Sequence, residues 1–535
     1  FLERLAGSTQ VVTEYLSTEV VDAQDAEVRR FLLDTCVADE LTPGLAAALA
    51  PGSPVTLADL EAANLLLIRL DPDGHTFRYH HLFAELLRYR LHDLDPDHEA
   101  DLHRRAAAWF EARGDVVAAF RHAWLAGRRA EAMEIVDGSV IDAYFAGRVH
   151  SVHQVVGALA DADLRAAPGA SVGLALGLIL EGFVEEALVL TDRVRSILLA
   201  RLDRWDRVRL AATRCVALLA LGDPDGCLAE GRLLLDLVTD DGAEDDWFTV
   251  ALCMLVRAGS WTGRLSEAEA VASRLATGGP RLVERVEHAA SVAQLRLVQG
   301  RLSEAVDLSR SGLAFAAANP EHETTIQMLP RAVLGTALLE QGEVAAAAAE
   351  LDWVAGTSAD TRRPMAALAR MGLSRIWQSE GRFEPALLVL DDARALFRNS
   401  PGRSRIVDQI DGRAARVLLA TGDRERAAAL VEALPTGPDR AVLRAQVRLA
   451  DGRHEEARRE LDAIDDAGLP PATRLSLALG RLACALSAGE PAEDEARAVL
   501  ALAEPHGYVF AVAEAGADVL AAVCEVGRRS PQTPY

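Results

Sequence analysis

The chain has 535 residues, half of them apolar and a quarter charged, the balance of a soluble globular protein too long for a single core. A net charge of −24 argues against a broad phosphate-gripping surface. The complete lack of lysine excludes Schiff-base chemistry and any P-loop, whose lysine must reach the nucleotide phosphates.

In chain order, VVTEYLSTEVVDAQ and DAEVRRFLLDTCV read as amphipathic helices, the second capped by Asp25. TPGLAAALA is a short helix opened by Thr42 with Pro43 at its first position, and TLADLEAAN is another capped by Thr56. The period then changes: LLLIRL and TFRYH flank DPDGH, whose Pro72 and Gly74 suit a tight reversal. Short helices followed by a β-hairpin predict a winged-helix unit of roughly 80 residues, completed by the helix that FRYHHLFAELLRYRL enters.

Beyond this unit the pattern is helical and repetitive. Turn glycines recur at 263, 300, 342, 381, 422, 452 and 489, spaced 37, 42, 39, 41, 30 and 37 residues apart. Helical hairpins somewhat longer than the tetratricopeptide repeat of about 34 residues fit these intervals. Five residues after six of these glycines stands alanine: Ala268, Ala305, Ala347, Ala386, Ala427 and Ala457. Seven before, the residue is usually small: Ala293, Gly335, Ser374, Ala415 and Ala445. Small residues at both places let paired helices approach closely, so the expected fold is all-α, a right-handed tetratricopeptide-like solenoid behind a small winged helix. Gly489 is followed by Asp494 instead of alanine, which marks the last hairpin as a cap.

The six cysteines are scattered without a CxxC and read as reduced core residues. No apolar run is long enough to cross a bilayer. The paired His80 and His81 invite a metal reading, with His81, Glu85 and His92 on one helix face, but the leucines around them favour a packing helix. No nucleophile–base set and no metal motif stands out, so no catalytic residue, metal ligand or enzyme activity is assigned. In a solenoid of this kind the residue six before each turn glycine faces the concave wall. That stripe reads Arg257, Gln294, Thr336, Arg375, Arg416 and Gln446, a polar, arginine-weighted face suited to an anionic or polyhydroxylated ligand or a peptide. Arginines pairing with carboxylates of neighbouring repeats would give the same pattern without a ligand.

STQVVTEYLSTEVVDAQDAEVRRFLLDTCVADELTPGLAAAL, LEAANLLLIRLD, FRYHHLFAELLRYRL and LHRRAAAWFEARGDVVAAFRHAWLAGRRAEAMEIV together resemble the MalT-like family of large ATP-binding LuxR regulators, signal-transduction ATPases of the STAND class. The resemblance is close over about Ser8 to Val136 and architectural beyond. It implies a winged-helix domain at 1–95, a helical arm at 96–164 and a sensor solenoid at 165–535. The chain, opening at Phe1, then reads as a fragment without the ATPase core or the C-terminal helix-turn-helix. ATP or ADP is expected only in the full-length protein, where a winged-helix histidine, His80 or His81, would hold the ADP phosphate. Expected partners are a small-molecule inducer or a regulatory protein or peptide, the protein's own nucleotide-binding domain, and further copies on activation. Neither membrane nor nucleic acid is expected to bind this fragment, and the cytoplasm is its expected location. Two alternatives stay open: a protein- or peptide-binding scaffold, and the regulatory region of a MalT-like serine/threonine protein kinase.

Overall fold

Among the described residues, side-chain caps fix the first three α-helices where their sequences place them. Asp25 accepts from the Val28 amide ahead of helix Ala26–Thr35, Thr42 from the Leu45 amide ahead of Pro43–Leu49, and Thr56 forms a capping box with Asp59 ahead of Leu57–Ala62. The computed structural model describes residues 20–63, 65–70, 76–136, 156, 159–200, 202–237, 246–275, 282–318, 324–357, 362–398 and 404–529. It falls into two units, 1–177 and 178–535. The predicted helix over 11–24 lies outside the described residues up to position 19, as does the hairpin turn at 71–75.

In the first unit, strand Leu67–Arg69 pairs antiparallel with Phe77–Tyr79, Leu67 opposite Tyr79 and Arg69 opposite Phe77. Both strands are shorter than the apolar runs that announce them, and Leu41 exchanges two backbone hydrogen bonds with Phe77. Helix His81–Leu94 follows and lays Phe83, Leu86, Leu87 and Leu91 on a core with Phe31, Leu32, Leu41 and Leu45. Burying each such side chain contributes on the order of 1.5–3 kcal/mol. Tyr79 sits edge-on to Phe83, and its hydroxyl meets Thr35 Oγ1 at 2.7 Å, so the last strand is tied to the first helix inside the core. Helices Pro96–Glu111, Val116–Leu125, Arg129–Val136 and Asp161–Ala166 follow, and helix Pro168–Leu180 runs across the boundary at 177.

The second unit is a run of helical hairpins from Val184–Leu198 to Pro471–Ala488 and Glu493–Ala503. The turn glycines carry the register. Gly263, Gly300, Gly342, Gly381, Gly422, Gly452 and Gly489 all have φ between 70° and 85°, where an L side chain is strained. The alanine five residues on is the fourth residue of the next helix, and all six are at most 1% exposed. At Gly489 the turn is longer: the next helix starts at Glu493, and its fourth residue, Ala496, takes the same buried place. The alanine rule therefore holds in the last hairpin when counted from the helix start. Opposite these alanines the small residues are used for contact. A Cβ on Gly335 would stand 2.7 Å from Leu351 Cγ, closer than two helices could tolerate.

After Ala503 the chain turns back through a short 3₁₀ turn into helix Val509–Glu514, then Ala517–Arg529. Phe510 joins a core with Met328, Ala332, Leu338 and Leu351, far earlier in the sequence. His506 Nδ1 lies 3.1 Å from the Gly300 carbonyl. Equally distant pairs close the solenoid elsewhere. Arg363 donates to both carboxylate oxygens of Glu185 at 2.6 and 3.2 Å, and the Ser404 hydroxyl donates to the Gly222 carbonyl at 3.0 Å. The cysteines are free; five are buried, whereas Cys524 is exposed and does not fit the core reading given to all six. No helix among the described residues is long and apolar enough to cross a membrane.

Candidate functional site

The second unit holds a cleft of about 550 Å³, a size that admits a small molecule. Its walls come from the first helices of successive hairpins, Arg363–Ser379, Arg405–Thr421, Pro438–Ala450 and Pro471–Ala488, with Glu340 at the end of helix Met328–Glu340. The C-terminal segment closes one side with Tyr508, Ala511 and Glu514. Leu419, Leu449, Leu475 and Leu479 give the lining an apolar part beside the charged one.

The charged wall is a network. Glu514 accepts from Arg375 Nε at 2.9 Å and from Arg413 Nη1 at 2.6 Å. Arg375 also donates to Glu340, and Arg413 to the Gln378 side-chain oxygen. The Arg375 guanidinium lies 5.1 Å from the Phe510 ring centre, a cation–π contact that fixes its plane. Burial would push the Glu514 carboxyl up, but Arg375 and then Arg413 outweigh it and hold it down at about 2. Burial likewise brings Arg413 down to about 10, and it lowers Arg416 against the opposing pull of Glu514 and Asp439.

Three of the six stripe residues meet here: Arg375, Arg416 and Gln446. The other three, Arg257, Gln294 and Thr336, do not line this cleft. Arg257 is 5% exposed and pairs with Glu287 at 3.3 Å, its guanidinium also reaching the Met365 sulfur. Gln294 is buried, and the Thr336 hydroxyl donates to the Ala332 carbonyl one turn back. Arg413, Glu514, Glu340, Gln378, Ser476 and Tyr508 are polar cleft residues that the spacing argument did not name. Arg413 could have been found, because it stands one helical turn before Arg416 on the same face.

In the first unit, His80 is the N-cap of its helix in non-helical backbone and His81 is the first helical residue. Their rings consequently lie 4.5 Å apart, not turned away from each other as two helical neighbours would be. His92 is engaged with Glu99 at 2.7 Å, and the arginines of this helix are used for packing: Arg88 donates to the Cys36 carbonyl and Arg90 to both oxygens of Asp22. Among the described residues no group of three His, Cys, Asp or Glu stands close enough to hold a metal. A further pair is deeply buried: His103 Nδ1 and His122 Nδ1 are 2.8 Å apart, with Phe110 stacked on His122.

Fold and cleft together define a tetratricopeptide-type solenoid with an arginine-rich polar cleft, accompanied by a winged helix. The family model described as the MalT-like TPR region matches residues 186–528, and that of the MalT winged helix domain matches 17–99. The chain belongs to the MalT-like TPR family. It is 38% identical over 138 residues to the serine/threonine-protein kinase PknK of Mycobacterium tuberculosis, covering 25% of this chain and 12% of the kinase. It is 38% identical over 117 residues to the HTH-type transcriptional regulator MalT of Vibrio cholerae, covering 21% of this chain and 13% of the regulator. A STAND protein with a tetratricopeptide repeat sensor from Pyrococcus horikoshii aligns at a TM-score of 0.40 and 14% identity, over 78% of this chain and 64% of that one.

Proposed function

We propose that the chain is the signal-sensing and signal-transmitting part of a MalT-like, LuxR-family, ATP-dependent transcription regulator, with its inducer or partner held in the solenoid cleft. The observation that carries this reading is the cleft itself. It combines an apolar wall with ordered guanidiniums and is closed by a segment remote in sequence, so occupancy and C-terminal position are physically linked. The winged helix is the part that would meet a nucleotide-binding domain. His80 and His81 are its candidate nucleotide-sensing residues, with ATP or ADP bound elsewhere in the full-length, cytoplasmic protein. The division into a winged helix at 1–95, an arm at 96–164 and a sensor from 165 belongs to the same proposal, as does self-association on activation.

The test is a thermal-shift screen of metabolites and peptides on the chain, since a ligand that binds only the folded state raises its melting temperature. Stabilisation by a small molecule that is lost in Arg375→Ala supports the sensor; a retained protein partner with no response to metabolites supports a scaffold. A second reading, the regulatory region of a kinase, is favoured by the equal identity to the kinase relative. Sequencing the flanking coding region separates these, through a kinase domain or a P-loop ahead of the winged helix. Replacing His80 and His81 with alanine in the full-length protein should weaken ADP retention; unchanged retention in both removes them from the site.

A further inference from the structure

The cleft contains a charged group that the protein itself leaves unserved. Arg416 lines it with no hydrogen-bond or ion-pair partner among the described residues, although its neighbours Arg375 and Arg413 are each doubly engaged. The unpartnered atoms Arg413 Nε, Gln446 Oε1 and Glu340 Oε2 are sealed from solvent and are not reached from the cleft. An open volume lined by a guanidinium without a carboxylate partner leaves room for an anion, and the charged atoms around it set which.

The inventory of these atoms limits what can arrive. Three guanidiniums and two carboxylates line the cleft, so one positive charge is in excess, and it sits on Arg416. Asp439 influences Arg416 through space but neither pairs with it nor lines the cleft. A planar carboxylate matches the guanidinium fork. A phosphate monoester would bring more charge than the site can balance. Leu419, Leu449, Leu475 and Leu479 would take the carbon chain of the carboxylate.

We propose that the cleft is a receptor site for a small monocarboxylate, with the carboxylate on Arg416 and the carbon chain on the leucines. This rests on the reading of the cleft as the sensor site and narrows it to one ligand class.

The test uses the 535-residue chain and matched probes that differ only in the acid group: gluconate against sorbitol, and α-hydroxycaproate against its reduced diol, at equal ionic strength. At least one acid should raise the melting temperature by several degrees where its neutral partner does not. Arg416→Met should weaken that acid about tenfold or more, the usual scale for losing a charged hydrogen bond to a carboxylate. Without ligand, Arg416→Met should melt at or above the wild-type temperature, because no ion pair is lost and a half-buried guanidinium is replaced by an apolar chain of similar length. A clearly lower melting temperature makes Arg416 a structural residue and overturns the proposal. Equal shifts with an acid and its neutral partner overturn the anionic class while leaving a sensor cleft in place. No response to any probe overturns the ligand class; no response to the wider metabolite screen as well removes the sensor reading with it.

Discussion

Glu514 is the residue on which most of the cleft depends. It is shared by Arg375 and Arg413, and Glu514→Gln would leave both buried guanidiniums short of charge compensation. Removing one partner of a buried ion pair costs about 3–5 kcal/mol, and here the remaining links to Glu340 and Gln378 keep the expected loss near the lower end. Urea unfolding followed on the second unit's helices should show it, with faster amide exchange over Val509–Glu514. A second residue-scale prediction concerns His103 and His122. Burial lowers their pKa values from 6.5 to about 4 and about 3, His103 helped by Arg121 and Arg88, and His122 by His103 and Arg121, against Glu99 and Asp39. Above 6.5 both are neutral folded or unfolded, and their burial carries no pH dependence. As pH falls through 6.5 the unfolded chain takes protons that the folded chain refuses, so stability is lost until the folded values are reached. From pH about 7 to about 5 the loss is roughly 2 kcal/mol per histidine. Acid titration of the first unit's stability should show this slope, and replacing both with asparagine should flatten it.

At the scale of elements, the turn glycines do two different jobs. Gly422 has φ +85° and open space around it, so Gly422→Ala should cost only the strain of a left-handed alanine, about 1–2 kcal/mol. Gly300 has the same backbone, but a Cβ there would lie 2.8 Å from His506 Nδ1 and 3.1 Å from Pro471 Cβ. Gly300→Ala should therefore lower the melting temperature more than Gly422→Ala and also loosen Val509–Glu514, read by hydrogen exchange; equal effects would show the contact to be unimportant. This contrast explains what was legible in the sequence. Hairpin spacing, the buried alanines and three helix caps follow from local chemistry and could be read directly. Arg375, Arg416 and Gln446 were reachable because the turn glycine sets the helix face. The same rule names Arg257, Gln294 and Thr336, which lie outside this cleft, because a repeat register says which face a residue takes but not what covers that face. The C-terminal segment seats against Gly300, and Phe510 packs with Ala290, Ala293 and Ala332, on the hairpins that carry Gln294 and Thr336. Glu514 has no periodic context at all, and nothing near it in sequence announces its two arginines.

At the scale of the whole molecule, the second unit is not a chain of nearest-neighbour repeats. Links 178, 182 and 206 residues apart join Glu185 to Arg363, Gly222 to Ser404 and Gly300 to His506. Ending the chain after Ala503 should therefore raise amide exchange in helix Met328–Glu340, although the deleted residues are far from it in sequence. Unchanged protection there would mean that the distant links carry no stability.

Those long links also bear on how the protein is made. Most repeat solenoids have low contact order and can zip up locally as they emerge from the ribosome. Here the residues that close the cleft are translated long after the hairpins they rest on, so the arginine wall waits without Glu514 until synthesis is nearly past the solenoid. During that interval Arg375 and Arg413 face solvent beside exposed leucines, a state in which nascent chains are prone to misassembly. Deleting or duplicating a single hairpin, which ordinary repeat proteins tolerate, should therefore fail in this one: it would shift the late segment out of register with its distant partners.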